Sequence, residues 1–135
     1  AETRESLPQH EIEDAVNDAY EVIFDSDPAA VRAHALGNFG LPQLGDSPGY
    51  LTGEVKIESP WLRAYEVLYK ESGDFKRIKE FLRKNNLRVF EVKQRGAGVD
   101  PSTIIKQLKT DGDPVSLIAW KVEKSVRYAV CKRLM

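Results

Sequence analysis

The sequence predicts an α+β fold: a two-layer sandwich whose mixed sheet carries helices on one face, with a small acidic lobe at the N-terminus. Two patterns predict the sheet and helices. Apolar residues recur with helical period in "DFKRIKEFLRKNN" and with a period of two in "LRVFEVKQR". Segments of these two kinds then follow one another as β-α-β-α-β-β through the C-terminal part, the order expected of a sheet backed by two helices. A third observation, a change of charge sign near Ser59, predicts the lobe.

Residues 1–9 read as a loose end. "EIEDAVNDA" reads as a short acidic helix with Ile12, Val16 and Ala19 on one side. "AYEVIF" reads as a strand, and "DPAAVRAHAL" as a helix with Asp27 at its N-cap and Pro28 in its first turn, where a missing N–H costs nothing. From Gly37 to Pro60 the chain carries five glycines and three prolines, so turns and short extended pieces are expected there. "WLRAYEVLYKE" has the aromatic and β-branched content of a strand, although periodicity alone leaves a helix open.

In "DFKRIKEFLRKNN", Phe75, Ile78, Phe81 and Leu82 share one arc at 100° per residue, and Lys76, Lys79, Arg83 and Lys84 share the opposite one. The alternation of "LRVFEVKQR" puts Glu91, Lys93 and Arg95 on one face. "DPSTIIKQL" is a helix started by Asp100 and Pro101, and "PVSLIAWKV" with "VRYAVCKRL" forms a hairpin closed near Glu123, Lys124 and Ser125.

A length of 135 residues suits one compact domain or two small lobes. The boundary is placed at Ser59 by charge. Residues 1–58 hold 3 Lys+Arg against 12 Asp+Glu, a net of −9, and residues 59–135 hold 17 against 9, a net of +8, which together make the −1 of the whole chain. Such asymmetry implies two lobes that attract each other, or a basic face meant for a polyanion. No apolar run reaches the roughly 20 residues of a membrane span. The acidic N-terminus lacks a signal-peptide layout, and the lone Cys131, which reads as a small buried residue, fits a reducing compartment, so the expectation is a cytoplasmic protein.

"VKQRGAGVDPS" places a strand, two glycines and a helix in the order of a phosphate-binding loop. A dinucleotide loop needs three glycines and a distant acidic residue for the ribose, whereas here Val99 interrupts the glycines and Pro101 has no amide hydrogen to offer. Gly96 and Gly98 read instead as a positive-φ turn leading into a capped helix. His10 and His34 lack metal-site spacing, and no G-x-S-x-G elbow exists. The expectation is that this chain holds no catalytic, cofactor or metal site.

"DPAAVRAHAL", "GYLTGE", "SPWLRAYEVL", "VKQRGAGVDPSTIIKQLK" and the final hairpin together resemble the C-terminal part of bacterial class I S-adenosylmethionine-dependent methyltransferases that end in a THUMP-like domain. The most specific piece is the Lys93-x-Arg95-Gly96 turn, followed by Val99-Asp100-Pro101 and a helix ending at Leu108-Lys109. The likeness runs from about Tyr20 onward, with the THUMP-like portion from about Leu87. It implies that the methyl donor, S-adenosylmethionine, belongs to a Rossmann-like domain N-terminal to this region. A chain beginning at Ala1 rather than methionine fits a piece of such a protein.

On this resemblance the chain is an accessory region that binds RNA, ribosomal or transfer RNA being the candidates. Lys93 and Arg95 would grip phosphate beside Gly96. Lys76, Lys79, Arg83 and Lys84 would extend the contact, Lys106 and Lys109 would add little, and Arg127, Lys132 or Arg133 would complete it. Trp61, Tyr65, Trp120 and Tyr128 are candidates for stacking or for the core. The alternative is an architectural role, with the basic lobe docked on the acidic lobe, on the parent's N-terminal methyltransferase domain or on another subunit, without nucleic-acid contact. The two readings differ over whether these cations lie open or are covered by residues 1–36.

Overall fold

The computed structural model describes residues 7–134. Its elements are β1 (Ala15–Val16), β2 (Val22–Ser26), α1 (Pro28–Arg32), a 3-10 turn (Leu36–Phe39), β3 (Gln43–Leu44), β4 (Tyr50–Gly53), β5 (Leu62–Glu71), α2 (Phe75–Lys84), β6 (Leu87–Gln94), α3 (Pro101–Gln107), β7 (Asp113–Val122) and β8 (Ser125–Arg133). The strands form one mixed sheet in the order β1-β3-β4-β2-β5-β8-β7-β6. Within it β1 runs parallel to β3 and β6 parallel to β7. From β5 onward the order is the expected β-α-β-α-β-β.

Charge changes at Ser59, but hydrogen bonding does not stop there. Strand β2, from the acidic part, pairs antiparallel with β5, from the basic part, along Val22–Ser26 and Leu62–Glu66. The helices start as their sequences dictate. Asp27 accepts from the Ala29 N–H at 2.8 Å, Asp74 from Lys76 at 3.0 Å and Asp100 from Ser102 at 3.2 Å, each relieving amides that a helix leaves without partners.

One cluster joins α2 and α3 to the sheet: Ile78 and Leu82 of α2 and Ile104 and Leu108 at α3 pack against Val115, Leu117, Ala119, Tyr128 and Val130. Phe81 stacks on Tyr69 with centroids 4.6 Å apart, and Phe75 meets Tyr128 edge-on at 5.2 Å. Val22, Phe24, Leu62 and Ala64 pack with Ala30 of α1. The opposite face carries Ile23, Tyr65, Ile118, Trp120, Ala129 and Cys131, together with Leu44 and Tyr50.

That second face is concave. Strands β2 and β6 are separated in the sheet by β5, β8 and β7, four steps that would span about 19 Å if flat. Yet Lys93 Nζ of β6 lies 3.1 Å from Asp25 Oδ2 of β2, so the sheet curls until side chains of these two strands meet across it. Two strand irregularities lie in one row where it bends. One falls between Val67 and Tyr69 and the other between Val89 and Glu91, and Cys131 and Ser116 stand between them. An extra residue on one strand bends and over-twists it, which supplies the curl.

Two local expectations fail. The acidic helix over residues 11–19 does not form, and the segment contributes only the two-residue β1. Its carbonyls are taken by distant donors: Asp14 by the Gln43 N–H, Val16 by the Gly45 N–H, Asn17 by the Trp120 indole and Ala19 by Lys70. Tertiary hydrogen bonds here override a weak local propensity. The helix predicted over 27–36 stops at Arg32, and His34 takes a left-handed φ of 53°.

Leu82 is fully buried, so Leu82→Ala is expected to lower the unfolding free energy by about 2–5 kcal/mol in urea titration. Lys76→Ala, on the outer side of the same helix, should stay within about 0.5 kcal/mol of wild type.

Candidate nucleic-acid interface

The alternation of β6 turns Glu91, Lys93 and Arg95 to the inner face, as the spacing predicts, and there each finds a partner. The Ser116 hydroxyl donates to Glu91 at 2.6 Å. Lys93 Nζ pairs with Asp25 Oδ2 at 3.1 Å, and Arg95 Nη2 reaches Asp25 Oδ1 at 3.0 Å and the Ser26 carbonyl at 2.6 Å. Lys93 lies over the Tyr65 ring at 5.9 Å and Arg95 over Tyr50 at 5.7 Å, so two aromatic faces take up cationic charge that one carboxylate does not balance. Burial pushes both phenols above their ordinary value; near Tyr50, Asp25 adds to the rise and Arg95 opposes it.

Gly49 makes room for this arrangement. With φ at +129°, a Cβ at this position would stand 2.0 Å from Arg95 Cδ. The sequence shows glycine in a turn-rich connector, but only the fold shows a guanidinium crossing it. Gly96 (φ 69°) and Gly98 (φ 71°) make the expected positive-φ turn. In that turn the Val99 N–H donates to the Gln94 side chain at 2.9 Å, and Asp100 receives Ser102 N–H and the Thr103 hydroxyl.

Further along the inner face the acidic segment engages a third cation. Arg127 Nη1 meets Asp18 at 2.5 Å, while its Nε is buried without a hydrogen-bond partner among the described residues. The Trp120 indole donates to the Asn17 carbonyl and Lys70 Nζ to the Ala19 carbonyl, both at 2.8 Å. Of the predicted RNA contacts, Lys93, Arg95 and Arg127 are therefore paired with carboxylates from the N-terminal part.

The others differ. Lys76, Arg83 and Lys84 on α2 are exposed and Lys79 is half-buried, and among the described residues none of the four is in an ion pair. Arg77 on the same helix is engaged by Asp74 at 3.5 Å. Lys76, Lys79 and Arg83 line an open groove of about 560 Å³ with Asp74, Arg77 and Glu80. Lys106 and Lys109 near α3 and Lys132 on β8 are also exposed without an ion pair, but they do not share the α2 groove.

The aromatic candidates are interior: Trp61, Tyr65, Trp120 and Tyr128 are buried. Phe90, at the irregularity in β6, is 52% exposed, and no sequence signal marks it. Cys131 is fully buried, which raises its thiol pKa well above the ordinary range. His34 pairs with Glu11 at 2.9 Å on the surface.

A protein-family profile described as THUMP domain-like matches residues 62–133, so the THUMP-like portion begins at β5, just past Ser59, rather than at Leu87. Two curated relatives, both described as uncharacterized S-adenosylmethionine-dependent methyltransferases, come from two strains of Mycobacterium tuberculosis. Each is 30% identical over 105 residues, covering 74% of this chain and 29% of the relative. A crystal structure titled "putative methyltransferase from Porphyromonas gingivalis W83" shares the fold with a TM-score of 0.68 at 13% identity, over 90% of this chain and 31% of that one. The chain thus spans under a third of the length of these proteins.

Asp25→Asn leaves Lys93 and Arg95 without their countercharge. The expected loss in urea unfolding is at most about 3–5 kcal/mol, reduced by the partial exposure of the two cations, and partly restored by adding Lys93→Ala. At Asp100 the Thr103 hydroxyl, ahead of the backbone N–H groups, holds the carboxyl below its ordinary value of 3.8. The cap therefore contributes fully above that value and is lost as pH falls through the lower folded value. Asp100→Asn keeps an acceptor that does not titrate, so wild type should lose stability relative to it on acidification, read by thermal unfolding at stepped pH.

Proposed function

The chain belongs to the THUMP domain-like family, and from that membership we propose that it is the non-catalytic accessory region of an S-adenosylmethionine-dependent methyltransferase, binding the RNA substrate through α2. The observation that carries this reading is the unpaired stripe of Lys76, Lys79, Arg83 and Lys84. On the inner face Lys93, Arg95 and Arg127 are matched with carboxylates, at Asp25 and Asp18. On α2 only Arg77 is so matched: Phe75–Lys84 holds five Lys or Arg against one Glu. A surface made only for solubility intersperses both signs. An open stripe in which cations predominate attracts a polyanion by releasing its counterions.

Arg83 and Lys84 also sit in the last turn of α2, where positive charge favours the helix dipole. That accounts for two of the four, not for Lys76 and Lys79 near its start. In this proposal the donor-binding and methyl-transferring parts belong to the rest of the parent, ribosomal or transfer RNA are the substrate classes considered, and the setting is cytoplasmic. A second, architectural reading is favoured for Lys93, Arg95 and Arg127, whose partners Asp25 and Asp18 make them ties between the two parts of the chain.

The test is RNA binding by the whole chain across roughly 50–200 mM salt, followed by anisotropy. Wild type should weaken steeply with salt. Changing Lys76, Lys79, Arg83 and Lys84 together to Ala should reduce the log–log slope by about 3. An unchanged slope in that variant would exclude α2 as the contact.

A further inference from the structure

Three other cations stand away from α2, and the strand registers bring them to one end of the inner face. Arg63, second in β5, is opposite Asp25; Arg133, last in β8, is opposite Tyr65; Arg88, second in β6, is opposite Pro114. Cross-strand partners share a face, as do residues two apart on a strand. Arg63 and Arg133 therefore lie on the face of Tyr65. Arg88 adjoins Val89, which belongs to the helix-side cluster, and so lies on the inner face as well. Continuing the β7–β8 register from Ser116–Cys131 brings Pro114 opposite Arg133, so Arg88, Pro114, Arg133 and Tyr65 form one row at about 4.8 Å per strand step.

All three arginines are exposed, and among the described residues none is in an ion pair. The nearby carboxylates are committed or turned away: Glu58, which lines one cavity with Arg63 and Arg133, pairs with Lys56 at 3.4 Å. Asp25 holds Lys93 and Arg95, Glu91 accepts from Ser116, and Asp113 is opposite Leu87, which packs on the helix side. Two residues beyond Arg88 comes Phe90, extruded where β6 slips register and 52% exposed. An apolar ring in water on the edge strand, two residues from one unpaired guanidinium of the row, is the composition of a single-strand binding surface, with cations for phosphate and a flat ring for a base. In an A-form duplex the bases are stacked inside and offer no face to such a ring.

We infer that this end of the inner face binds a single-stranded segment of the RNA, with Phe90 under a base and Arg63, Arg88 and Arg133 on phosphates. The inference rests on the RNA reading above and adds the strandedness of the substrate and a second contact away from α2.

The test compares a single-stranded RNA of about ten nucleotides carrying 2-aminopurine with a hairpin duplex of matched charge, on the full chain. Phe90→Ala is expected to weaken the single strand about 5- to 100-fold and to relieve quenching of the 2-aminopurine. Duplex affinity and the thermal midpoint should not move, and Phe90→Tyr should bind as wild type. Changing the three arginines together to Gln should lower the single-strand salt slope by about 2. If RNA binds and responds to the α2 changes but not to Phe90→Ala or the arginine changes, this inference falls and the α2 reading stands. Equal losses on single strand and duplex with Phe90→Ala would also overturn it. Wild-type protein that binds neither RNA removes the α2 reading itself.

Discussion

The contact of Asp25 with Lys93 and Arg95 is the constraint on which the rest of the architecture depends. It joins strands that a flat sheet would keep far apart, and in doing so it turns one face of the sheet into an enclosed interior. Tyr50, Tyr65, Ile118 and Trp120 are buried because the sheet closes over them. Gly49 has to be glycine because the Arg95 side chain passes where a Cβ would stand. Ion pairs of this kind repay the desolvation of their members only with good geometry and further hydrogen bonds, and the Ser26 carbonyl and two aromatic faces provide these.

The same contact sorts the cations. A net charge of +8 in residues 59–135 suggests one polyanion surface, but its members have separate fates. Lys93, Arg95 and Arg127 answer carboxylates of the N-terminal part, and Arg77 answers its own helix cap. What stays open includes the rest of α2, the row of arginines at the strand ends, and the scattered Lys106, Lys109 and Lys132. The two readings of the charge asymmetry are thus not exclusive: one set of cations is spent on cohesion and another is left facing solvent.

Local chemistry was legible in the sequence where one or two residues decide the conformation. Asp27 and Asp100 cap the helices they precede, the arc of Phe75, Ile78, Phe81 and Leu82 is the buried side of α2, and Gly96 and Gly98 turn the chain. The alternation in β6 correctly put Glu91, Lys93 and Arg95 on one face, but the Asp25 that holds Lys93 and Arg95 lies as many as 70 residues away in a segment whose own pattern suggested nothing of the kind. The failed helix at residues 11–19 has the same cause, since its carbonyls are claimed by Trp120 and Lys70. Phe90 was invisible because a register slip has no compositional mark.

The pairing of β2 with β5 across Ser59 has a practical consequence for anyone dividing this polypeptide. A fragment starting at the charge boundary would present β5 as a bare strand, with its row of amide and carbonyl groups open to any neighbouring chain. Such a piece would self-associate through that edge while its orphaned inner cations adsorbed nucleic acid without discrimination, so apparent binding by it would report the cut and not the protein.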